Sequence, residues 1–160
     1  LTHNYLHPEI REKGGAYGAG ASNGPIKGIF TFMSYRDPNP MNSLKVFQNS
    51  GIFARDRAWS EREIEEAKLG IFQGLDAPMS VDDEGARYFL SGVTHEMDQK
   101  WREQVLDVTA KDVNEVADRF LVNGWRKSTC VLGEKKDWAD ASWEVRKLSM
   151  GQQEDASPAA

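Results

Sequence analysis

The sequence predicts an α+β domain, an antiparallel sheet with helices packed on one face. Three observations predict it. Residues 28–35, G-I-F-T-F-M-S-Y, alternate and are rich in aromatic and β-branched side chains, the pattern of a strand. A series of apolar-periodic segments with capping residues fills 42–123, the pattern of helices. A second strand-like stretch, S-T-C-V-L at 128–132, follows them. Strands at both ends of a helical block favour α+β over alternating βαβ units.

Each element has a local reason. Residues 1–13 read as helix at least in their second half, because Pro8 suits a first helical turn and disfavours helical dihedrals at His7. Gly14 and Gly15 end that helix. Small residues around Tyr17 lead into Asn23-Gly24-Pro25, a turn signal. The segments flanking the turn predict an antiparallel hairpin, and R-D-P-N-P at 36–40 breaks its second strand. Asn42 or Ser43 caps a helix that stops near Gly51. Ser60 and Glu63 form an S-x-x-E capping box, followed by Ile64, Ala67, Ile71, Phe72 and Leu75 at helical spacing, with Pro78 closing the segment. Ser80 starts a helix carrying Tyr88, Phe89 and Leu90 before Gly92. Thr94 starts another with Met97, Trp101, Val105 and Leu106. Thr109 and Asp112 repeat the capping pattern ahead of Val113, Val116, Ala117, Phe120 and Leu121, and Asn123-Gly124 is the stop. Trp143 to Leu148 reads as a short strand or docking segment.

The 160 residues fit one domain, since domains usually run about 100–200 residues. That length suffices for an ordinary core without a disulfide or metal staple. Residues 1–150 read as the domain and 151–160, G-Q-Q-E-D-A-S-P-A-A, as a flexible tail. The start at Leu1, without Met or a targeting segment, reads as a piece of a longer protein. A net charge of −5 disfavours a nucleic-acid backbone as partner. No apolar run approaches the roughly 18 residues of a membrane helix, so no membrane insertion is expected. Cys130 stands alone, which excludes an internal disulfide and fits a reducing compartment; in an apolar strand context it reads as a small core residue.

Most candidate chemical motifs fail on inspection. His3 and His7 are four apart, as in H-E-x-x-H, but H-N-Y-L-H carries Asn4 where a general base belongs. With His95 the only other histidine, no metal site is expected on this chain. G-G-A-Y-G-A-G is no phosphate loop, because it leaves a helix and no Lys-Ser/Thr follows. The charged run 61–68 reads as a solvated helix face with intrahelical ion pairs.

E-I-R-E-K-G-G-A-Y-G at 9–18 is different. A double glycine lets backbone approach another surface closely. Arg11 projects from the last helical turn, and Tyr17 follows six residues later. A Gly-Gly turn can bring guanidinium and phenol to one rim, where they would polarise a carbonyl and stabilise an oxyanion. The alternative is a plain capped helix end, with Arg11 in a surface ion pair and Tyr17 in the core.

That stretch, with G-I-F-T-F-M-S-Y-R-D-P-N-P after it, resembles the C-terminal region of the presequence proteases, zinc metallopeptidases of the pitrilysin superfamily. The similarity continues through E-I-E-E-A-K-L, L-D-A-P and W-R-E-Q-V-L and covers roughly residues 6–133. The resemblance implies a pitrilysin/LuxS-type metallohydrolase-like domain within a clamshell of two halves. It implies zinc on an inverted H-x-x-E-H motif in the N-terminal half, and an Arg and a Tyr supplied by the C-terminal half. Those match Arg11 and Tyr17 as catalytic residues. Gly14 and Gly15 would shape the substrate-binding rim.

The chain holds neither H-x-x-E-H nor H-E-x-x-H. The expectation is therefore the substrate-clamping portion of a zinc metalloendopeptidase, inactive alone, acting with its N-terminal half on mitochondrial presequences and other short unstructured peptides. The matrix is favoured over the intermembrane space. The competing expectation is a non-catalytic scaffold of the same fold that mediates subunit packing, with Arg11 and Tyr17 as relics. A weaker third is a free-standing module that binds peptides along an exposed strand edge.

Overall fold

A computed structural model describes residues 1–24, 26, 28–124, 127–134 and 142–147. The chain forms two compact units, Leu1–Ser128 and Thr129–Ala160. Among the described residues every helix and strand lies in the first unit.

The N-terminal helix spans Thr2–Glu12 and is wound as a π-helix, with the Lys13 N–H donating to Pro8 O at 3.1 Å. The expected break near His7 is therefore corrected: Pro8 lies inside the helix. The wider winding eases the contact between the proline ring and the preceding turn. Leu6 and Ile10 are fully buried, each contributing about 1.5–3 kcal/mol by leaving water.

The predicted hairpin is present. Strand β1 (Gly18–Gly24) pairs antiparallel with β2 (Ile29–Tyr35), in a register running from Gly18↔Tyr35 to Gly24↔Ile29. Ala19, Ala21 and Phe32 turn toward Leu6, Ile10, Ala16 and Val46. Phe32 stacks on Phe47 at 5.3 Å. Alternation sends Gly18, Gly20, Met33 and Tyr35 to the other face.

Helix α1 runs Pro40–Asp56, starting earlier and ending later than expected. Pro40 fits the first turn, where its missing N–H costs nothing. Gly51 does not stop the helix; it lies inside it at a close approach to Leu121, where a Cβ would lie 2.8 Å from the leucine Cβ. The last turn of α1 is tied off from outside: the Asn114 amide donates to the carbonyls of Ala54, Arg55 and Arg57 at 2.7–3.1 Å, and the Trp59 indole donates to Ala54 O at 2.9 Å.

The later helices begin where their caps predict. Helix α2 (Glu61–Leu75) opens on the Ser60–Glu63 capping box and ends before Pro78. The Arg62–Glu66 ion pair lines its solvated face, while Lys68 pairs with Glu65 and donates to Leu106 O at 2.8 Å. Helix α3 (Val81–Ser91) runs from Ser80 to a left-handed Gly92. Helix α4 (His95–Asp107) is capped by Thr94. Helix α5 (Ala110–Val116) opens on the Thr109–Asp112 box and passes into a π-wound turn, Ala117–Val122. A two-pronged Arg87–Asp98 pair at 2.7 and 2.8 Å joins α3 to α4, and Arg102 pairs with Asp76 beyond α2. None of the described helices is long and apolar enough to cross a membrane.

Other expectations differ from the structure. The late strand at 128–132 does not form; residues 127–134 carry neither helix nor strand. Strand propensity needs a neighbour to pair with, and the described sheet consists of β1 and β2 alone. The described part of 143–148 likewise holds no strand. Cys130, expected in the core, is exposed because the strand that would have buried it is absent. The main core gathers around Leu6, Ile10, Ala16, Ala19 and Val46, while Val81, Phe89, Leu90 and Leu69 lie on the surface, since no further layer among the described residues covers those helix faces. The tail at 151–160 lies outside the described residues, so the fold class stands as α+β on a two-stranded antiparallel sheet.

Candidate functional site

Residues 9–18 fold as helix end, turn and strand start. Gly14 is buried, and a Cβ there would lie 2.5 Å from Ile10 O, so the position admits only glycine. Gly15 takes φ 79°, the left-handed conformation that reverses the chain. The closing hydrogen bonds run from the Gly15 N–H to Arg11 O at 3.0 Å and from the Ala16 N–H to Ile10 O at 3.1 Å. The second spans six residues, one more than the usual Schellman closure, matching the wide helix it ends.

Arg11 and Tyr17 flank this turn, and both are exposed. The Arg11 guanidinium makes no hydrogen bond or ion pair with another described residue; its neighbour Lys13 pairs with Glu9 at 2.6 Å instead. Tyr17 is 67% exposed. Its N–H donates to Tyr35 O at 3.1 Å, which anchors the backbone to the end of β2 while the phenol stays in solvent. The alternative of an ion-paired Arg11 and a core Tyr17 is not what the structure contains.

A second segment braces the turn. R-D-P-N-P at 36–40, which reads in sequence only as a strand breaker, wraps onto the double glycine. The Asn39 amide donates to Gly14 O at 2.9 Å, and Pro38 Cγ lies 3.5 Å from where a Gly15 Cβ would sit. The Arg36 guanidinium lies 5.7 Å from the Tyr17 ring centroid and 5.5 Å from that of Tyr35. Sequence reasoning missed Arg36 and Asn39. The available signal was a cation at the strand exit, directly before a rigid D-P-N-P corner.

Away from this rim, His3 and His7 meet edge to face at 5.2 Å. Among the described residues no three His, Cys, Asp or Glu side chains gather where they could hold a metal ion. No set of the described residues fits zinc. The other dense polar cluster is structural. The Glu63 carboxylate is pulled down to about 2 by the Ser60 backbone N–H, then Arg57, then the Ser60 hydroxyl. It also accepts from Asn4 at 2.6 Å, linking the N-terminal helix to the start of α2.

The fold and the exposed Arg11 and Tyr17 define an α+β domain with a polar surface turn, and comparison with known families places the chain. Residues 1–132 fit the family described as the PreP C-terminal domain, and the chain belongs to that family. Individual relatives carry the name "Presequence protease, mitochondrial". That of Aspergillus fumigatus is 86% identical over 151 residues, covering 94% of this chain and 14% of the relative. That of Saccharomyces cerevisiae is 49% identical over 150 residues, covering 92% and 15%. That of Schizosaccharomyces pombe is 48% identical over 148 residues, with the same two shares. The chain thus spans about a seventh of the length of these relatives.

Proposed function

We propose that this chain is the substrate-clamping C-terminal portion of a zinc metalloendopeptidase of pitrilysin type that degrades mitochondrial presequences and other short unstructured peptides. The observation that carries the reading is the pair of exposed side chains flanking the Gly14-Gly15 turn, in a chain whose relatives are named as proteases. Tyr17 donates its O–H to the scissile carbonyl as negative charge gathers on that oxygen. Arg11 holds backbone carbonyls of the extended substrate or supports the same charge. Gly14 closes the turn tightly against Ile10, and the exposed Gly15 leaves room beside it for a peptide backbone to approach.

The metal and the attacking nucleophile belong to the N-terminal half of the longer polypeptide, so this chain alone does not cleave. The pitrilysin-type domain fold, the mitochondrial location and the preference for the matrix belong to the same proposal. Exposure of both Arg11 and Tyr17 supports the clamp over the scaffold reading, because both side chains are open to a bound peptide.

The test is Tyr17→Phe in the full-length protein. Loss of an oxyanion donor lowers kcat about 10²-fold or more, with zinc content unchanged. An unaltered kcat overturns the assignment. Incubation of the purified chain with zinc and a presequence peptide gives no cleavage; metal-dependent cleavage overturns the dependence on the absent half.

A further inference from the structure

We propose that Arg36 is a positioning residue that holds the Tyr17 phenol in its working orientation. The inference rests on the reading of Tyr17 as the donor to the scissile carbonyl.

Arg36 is the one non-glycine residue with positive φ among the described residues, at 47°. Side chains with a Cβ avoid that region, and its occupation by a long cation points to a constraint worth its conformational cost. The constraint is visible. The guanidinium lies within cation–π range of two rings at once, Tyr17 at 5.7 Å and Tyr35 at 5.5 Å. The rings themselves meet edge to face, with centroids 6.0 Å apart and planes at 83°. Arg36 has no ion pair with another described residue, so the rings are its partners. Its carbonyl lies 3.4 Å from the Tyr17 N–H, as the second acceptor beside Tyr35 O. Arg36 thus meets Tyr17 at both backbone and ring.

Tyr17 needs such a partner. It is 67% exposed, and a solvent-facing phenol moves among rotamers. A donor aimed at a developing oxyanion must be fixed before reaction, because small misplacements are costly. Tyr35 supplies an edge, and Arg36 bridges the two rings and sets their angle. The left-handed backbone at Arg36 reverses the chain after β2 and keeps the guanidinium with the rings as the backbone departs toward Asp37 and Pro38.

The test separates guanidinium from backbone. In the full-length protein, Arg36→Gly removes the cation and relieves the left-handed strain, so thermal stability holds or rises. The inference expects kcat nonetheless to fall about fivefold, with KM little changed and partial rescue by Arg36→Lys. In a Tyr17→Phe background, Arg36→Gly adds no further loss. A fluorinated tyrosine at position 17 gives an independent readout: its fluorine NMR signal moves toward the unfolded-protein value on Arg36→Gly. If Tyr17→Phe lowers kcat but Arg36→Gly leaves both kcat and the fluorine signal unchanged, or costs the same in both backgrounds, the inference alone falls. If Tyr17→Phe leaves kcat unchanged, the reading of Tyr17 falls and takes this inference with it.

Discussion

The Asn39 side chain donates to the Gly14 carbonyl across 2.9 Å, joining two segments 25 residues apart at the foot of the rim. Asn39 is also the N-cap residue of α1, yet its side chain makes no capping bond. Its work is at Gly14. Asn39→Ala is expected to cost about 1 kcal/mol, the usual worth of one hydrogen bond. Asn39→Asp is expected to cost more, because a carboxylate would face the Gly14 carbonyl with no proton to share. Helix propensity alone ranks Asp far above Ala at an N-cap. Urea midpoints that follow the propensity order would refute the Gly14 contact.

Acid should loosen the junction around Glu63. Its carboxyl group has an ordinary value of 4.5 and is held at about 2 in the fold, first by the Ser60 backbone N–H and then by Arg57 and the Ser60 hydroxyl. A depressed folded value means the carboxylate's contribution is complete above the unfolded value and fades as pH falls toward the folded one. The stability gap between wild type and Glu63→Gln should therefore be widest at neutral pH and close between pH 4.5 and about 2. Denaturation curves at several pH values decide this. A gap that does not narrow on acidification would show that the loss in Glu63→Gln is not ionic.

Two glycines inside helices should respond in opposite directions. At Gly70 in α2 a Cβ meets nothing within 4 Å, so Gly70→Ala is expected to stabilise by up to about 1 kcal/mol. At Gly51 in α1 the same methyl would lie 2.8 Å from Leu121 Cβ and 3.0 Å from Leu121 C. Gly51→Ala should cost about 1–3 kcal/mol through overpacking. Thermal melts of the two variants check the contrast, and a stabilised Gly51→Ala would mean that the Leu121 turn yields freely.

Local signals carried most of the fold. Alternation in 28–35 and the turn residues before it marked the hairpin. Ser60, Ser80, Thr94 and Thr109 marked four helix starts, because a cap depends on residues within one turn of itself. What stayed hidden depends on neighbours distant in sequence. The helix that runs across Pro8 buries Leu6 and Ile10 against Ala19 and Val46, partners far along the chain. The glycine at 51 belongs to a close approach to Leu121, 70 residues away, and not to a helix stop. S-T-C-V-L has strand composition without a strand to join. At the rim, spacing and resemblance singled out Arg11, Gly14, Gly15 and Tyr17. For Arg36 the one signal was a cation at a strand exit before D-P-N-P; nothing there announces its left-handed backbone.

The hairpin meets the rim only at its Gly18↔Tyr35 end, while Gly24↔Ile29 closes the opposite end. Adding or removing residue pairs beyond Gly24 would leave the Tyr17–Tyr35 backbone bond, the R-D-P-N corner and the double glycine where they are. The working corner is thus decoupled from the far end of the hairpin, so a change at Gly24 or Ile29 is the control for one at Tyr17 or Tyr35.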